Sequence, residues 1–110
     1  MAKKPTLNKI VSQKVRSYLK LLKKGGVDIE KAIVFGSYAK GMPKPWSDID
    51  VCLISKQFGK DIFKEGVAMS QLADQVDSLI EPHPFHPADF REKYHPLASE
   101  IKKHGIVVAI

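Results

Sequence analysis

Leu7, Val11, Val15, Tyr18 and Leu22 recur at spacings of three and four, so they line one stripe of a helix that packs on something apolar. Gly25-Gly26 stops that helix, as glycine does just past a helix end. Ala32-Ile33-Val34-Phe35 then forms an apolar run closed by Gly36 and reads as a buried strand. Ser37 to Lys40 makes a short helical turn, and residues 41–47 a loop, because Gly41, Pro43 and Pro45 end ladder and helix alike. A second strand covers 49–54. From about Asp61 to Asp77 the spacing of Ile62, Val67, Leu72 and Val76 predicts a helix, weakened in its middle by Gly66. A third strand spans Ser78 to Glu81 and is interrupted by Pro82, Pro84 and Pro87, which suit an edge or exit segment. A helix from Pro96 to Lys103, a stop at His104-Gly105 and a last strand over 106–110 complete the chain. This order predicts an α/β fold in which a small mixed β-sheet is flanked by helices.

At 110 residues the chain fits one domain spanning 1–110, with 44% hydrophobic and 27% charged residues, as in a globular protein. Its net charge of +6 is uneven. Residues 1–24 carry eight Lys or Arg and no acid, whereas the rest has ten against twelve Asp or Glu. We read this start as the solvated face of a helix in preference to a nucleic-acid site, since no aromatic ladder accompanies it. No run approaches the roughly 18 apolar residues of a membrane span and no secretory core follows Met1, so a cytoplasmic location is expected. The one cysteine, Cys52, lies between Val51 and Leu53 and reads as a buried strand residue.

The chemistry is concentrated in Gly36-Ser37-Tyr38-Ala39-Lys40-Gly41 followed by Ser47-Asp48-Ile49-Asp50-Val51. A glycine between strand and turn lets backbone approach a phosphate closely. The amides behind it and the Ser37 hydroxyl make an anion site, to which Lys40 adds charge. Asp48 and Asp50 are two apart, so on a strand they leave the same face about 7 Å apart along the backbone, while Ile49 and Val51 point into the core. Two carboxylates beside a phosphate cradle are what magnesium needs, because it keeps waters and substrate phosphates as further ligands.

Gly36-Ser37, ten intervening residues and Asp48-Ile49-Asp50 together resemble the signature of the DNA polymerase β-type nucleotidyltransferase superfamily, over residues 34 to 54. In size and order the whole chain resembles its minimal nucleotidyltransferase branch, which implies the nucleotidyltransferase palm without fused substrate-binding domains. The resemblance implies that Gly36 and Ser37 hold nucleotide phosphates and that Asp48 and Asp50 hold two Mg2+ ions. It also implies a third carboxylate from a later strand. Glu81 is the candidate, with Asp77 as runner-up. Relatives often carry arginine where this chain has Tyr38. The implied reaction moves an NMP group, AMP foremost, from ATP or another NTP to a hydroxyl. The acceptor is expected on a helical HEPN-type partner protein, with this chain as antitoxin; nucleic acid is not favoured. The rival reading is a non-catalytic module of the same fold that binds a nucleotide or partner. His83 and His86 form too sparse a set for zinc, and Trp46 reads as loop packing sooner than base stacking.

Overall fold

The computed structural model describes residues 7–110; the first part of the basic start, Met1 to Thr6, lies outside the described residues. The first helix, α1 (Lys9–Lys24), begins where the Asn8 side chain accepts hydrogen bonds from the amides of Ile10 (2.8 Å) and Val11 (3.3 Å). Those are two of the donors a helix start leaves unpaired. Leu7 therefore precedes the helix, though it still packs on the core. Lys23 and Lys24 sit in the last turn, where they complement the negative end of the helix dipole.

Four strands, β1 (Lys31–Phe35), β2 (Ile49–Ile54), β3 (Ile80–Phe85) and β4 (Ile106–Val108), form one sheet in the order β3-β2-β1-β4. β1 is antiparallel to β2 and β4, whereas β3 runs parallel to β2, so the sheet is mixed. Three helices complete the order: α2 (Ile62–Asp74), the short α3 (Pro87–Phe90) and α4 (Pro96–His104).

The alternation along the strands divides the core in two. On one face Ala32, Val34, Ile49, Val51, Leu53, Ile80 and Val108 meet α1 and α2. Tyr18 is fully buried there, and its hydroxyl donates to the carbonyl of Met69 at 2.9 Å, tying the two helices together. On the other face Ile33, Phe35, Cys52, Ile54 and Phe85 pack under Ala98 and Ile101 of α4. Cys52 is fully buried, and that burial pushes its thiol up to about 12.

Three expectations are corrected. The third strand does not end at Glu81 but continues through Pro82 and Pro84 to Phe85. The carbonyls of Leu79 and Phe85 accept from Ile49 and Ser55, so the odd-numbered positions of β3 face β2 and both prolines put their missing N–H on the open edge. Second, only part of the predicted α2 stripe reaches the core: Leu72 and Val76 pack against it, but Ile62 is 79% and Val67 41% exposed, and Met69 and Ala73 make the buried contact. The five-residue steps from Ile62 to Val67 and from Val67 to Leu72 leave the helical face that a spacing of three or four would keep. Last, β4 closes at Val108, two residues early.

Candidate active site

Register carries the site. Phe35 at the end of β1 is paired with Asp50 of β2, and Asp50 with Glu81 of β3. All three side chains belong to the face that α4 covers only in part. Ile49 and Val51 are buried in the opposite core, which fixes Asp50 outward. Asp48 lies two residues before it, just outside the strand, and is exposed.

Behind Asp50 stands Gly36, with φ of 74°. A Cβ added there would collide with the Asp50 carboxylate. Glycine is thus required twice over, by the left-handed backbone and by the carboxylate laid against it. The chain then folds into a hydrogen-bonded turn: Lys40 N–H donates to the Gly36 carbonyl at 3.1 Å and Met42 N–H to that of Ser37 at 3.0 Å. Ala39, fully inside, anchors it. Among the described residues no protein acceptor takes the N–H groups of Ser37, Tyr38 or Ala39. They follow Gly36, which lies against the Asp50 carboxylate, and Ser37 is exposed. Lys40 turns away: its Nζ meets Glu100 of α4 at 3.0 Å.

His83, two residues after Glu81 on β3, points to the same face. Its Nε2 lies 3.2 Å from Asp50 Oδ1, and its ring packs edge-on against Phe35 with centroids 4.9 Å apart. Among the described residues, donor atoms of Asp50, Glu81 and His83 come within 4.8 Å of one another, an arrangement able to hold a metal ion. Desolvation lifts the Glu81 carboxyl above the usual glutamate range; His83 opposes this, and the charges of Asp50 and Asp48 reinforce it. Mutual repulsion of that kind is what a bound cation relieves. Two carboxylates and an imidazole are an acceptable donor set for a divalent ion, so the residues fit.

His83 was missed as a site residue from sequence. Ending the strand at Glu81 hid the i, i+2 relation that puts both side chains on one face. His86 stands outside the group of Asp50, Glu81 and His83 and caps α3, its Nδ1 accepting from Ala88 N–H at 3.0 Å. His95 caps α4 in the same way, from Ala98 at 3.2 Å. Asp77 is occupied elsewhere. One of its oxygens accepts from Leu79 N–H at 2.8 Å and the other from Lys14 Nζ at 2.5 Å, which holds its carboxyl below the usual range. Trp46 is 71% exposed, and its contact is within its own loop, with Lys44 over its ring.

Two solved structures share this architecture. One is a toxin–antitoxin complex crystallised with AMP-PNP, similar at a TM-score of 0.62 and 21% identity over 89% of this chain and 72% of that one. The other is a mutant of the MntA–HpeT toxin–antitoxin, at a TM-score of 0.60 and 19% identity over 86% and 71% of the respective chains. At such identities the likeness is one of fold. No curated protein matches the sequence. The nucleotidyltransferase domain family matches residues 12–108, almost the whole described structure, and the chain belongs to that family.

Proposed function

We propose that the protein transfers a nucleoside monophosphate, AMP foremost, from an NTP to a hydroxyl on a helical partner protein of HEPN type, in an antitoxin role. The observation that carries this reading is the in-register pair Asp50–Glu81 beside Gly36. It sets a carboxylate cluster against a turn of unpaired amides, which is the pairing that phosphoryl chemistry needs. Support for an adenine nucleotide and a protein acceptor comes from the structural neighbours, both toxin–antitoxin assemblies, one with AMP-PNP.

In this reading Gly36 lets the phosphates approach, and the amides of Ser37 to Ala39 with the Ser37 hydroxyl hold them. Asp48, Asp50 and Glu81 hold two magnesium ions, and His83 steadies the Asp50 carboxylate. The metals, when bound, supply charge neutralisation and lower the pKa of the acceptor hydroxyl. The half-covered face leaves the acceptor an approach beside Glu81, the outermost of the three on the edge strand.

The test is label transfer. ATP labelled at the α-phosphate is incubated with this protein and the product of the adjacent gene. Label on the second protein, lost with Asp50→Asn, is the expected result. Nucleotide binding with no label on any protein would point to the non-catalytic module.

A further inference from the structure

We propose that His83 is a third donor of the Asp50–Glu81 metal position and biases that position toward manganese over magnesium. The inference rests on the reading of this cluster as the metal site, and goes beyond it by assigning an ion preference to a side chain outside the carboxylate set.

Three observations meet at His83. Its Nε2 is within hydrogen-bond distance of Asp50 Oδ1, and its donor converges with those of Asp50 and Glu81 inside 4.8 Å. Its ring is held: Phe35 packs edge-on at 4.9 Å, and the side chain is 25% exposed. Its place is also fixed by the backbone, since β3 pairs His83 with the fully buried Cys52 in the middle of the ladder. A donor on a paired strand is aimed without the ordering cost of a loop residue. Asp48 does not enter this three-residue set, so the carboxylates and the imidazole define a mixed oxygen and nitrogen position.

Donor type decides the preference. Magnesium favours oxygen ligands and sheds water reluctantly, whereas manganese accepts carboxylate and, as a softer first-row ion, gains more from an imidazole nitrogen. Exchanging that nitrogen for an amide oxygen should leave the magnesium affinity nearly in place and cost manganese most. A histidine that served only to steady Asp50 would affect both ions equally.

Binding of Mn2+ alone is measured by the loss of the free-ion electron paramagnetic resonance signal, and Mg2+ by its competition for the same sites. The wild-type chain, His83→Asn, His83→Gln and Asp50→Asn are compared at one pH, each checked for a native melting transition. The expected result is that both His83 variants lower the ratio of Mn2+ to Mg2+ affinity by about tenfold, chiefly through Mn2+. Asp50→Asn should weaken both ions. An unchanged ratio in the folded His83 variants would overturn the inference and leave the metal site standing. Wild-type protein that takes up no more Mn2+ than Asp50→Asn would overturn the metal-site reading itself, and the inference with it.

Discussion

At the scale of single residues, Gly36 couples the two halves of the site. Its left-handed backbone and the Asp50 carboxylate laid on it mean that Gly36→Ala forces the metal ligand to move. Affinity for ATP with Mg2+, read by titration calorimetry, should fall at least about tenfold while the circular dichroism spectrum stays native. Asp77 belongs to stability. Its folded-state carboxyl lies below its unfolded value, so the stability it adds is present above about pH 4 and fades as pH falls through the folded-state pKa. With Lys14 half in solvent, Asp77→Asn should cost only about 1 kcal/mol at pH 7, and its melting difference from wild type should vanish near pH 2. A difference that persisted in acid would contradict the ion pair. The Gly-Ser turn and the two aspartates were legible in sequence because each needs only local spacing. His83 was not, because its relevance depends on which face of β3 it occupies.

At the scale of elements, hydrophobic spacing located every strand and the three longer helices but misplaced some ends. Helix α1 was clear, with a stripe at three and four ending in glycines. β3 was the hardest, since prolines usually end strands. Only the tertiary fact that it lies on the sheet edge makes Pro82 and Pro84 harmless. The first half of the α2 stripe failed because Ile62 and Val67 are apolar yet face solvent, and sequence does not tell an exposed isoleucine from a buried one. Gly105 shows the opposite case, a residue whose meaning is wholly tertiary. It joins α4 to β4, and a Cβ there would strike the Ile101 carbonyl and the Ile33 side chain. Gly105→Ala should therefore destabilise by about 1–3 kcal/mol in denaturant unfolding, whereas Gly66→Ala, inside α2 with a Cβ that meets nothing, should stabilise by up to about 1 kcal/mol.

At the scale of the molecule, the sheet separates stability from chemistry. One face is sealed by α1 and α2; the other is half covered by α4 and carries Asp50, Glu81 and His83. The described part of the basic start, including Arg16, Lys20 and Lys23, rides on α1 and so lies on the sheet's far side from the carboxylates. A nucleic acid drawn to that charge would not be presented to the site, which favours a protein acceptor. On this reading the carboxylate row turns over a nucleotide and does not merely bind one. Pyrophosphate release from ATP, measured with the adjacent gene's product present, tests it in wild type and Glu81→Gln. Wild type should release pyrophosphate, and Glu81→Gln should be slower by at least about 100-fold, or ~2.7 kcal/mol, with ATP affinity kept within a few fold. Wild-type protein that binds ATP and releases none, or a Glu81→Gln variant that turns over normally, would contradict it.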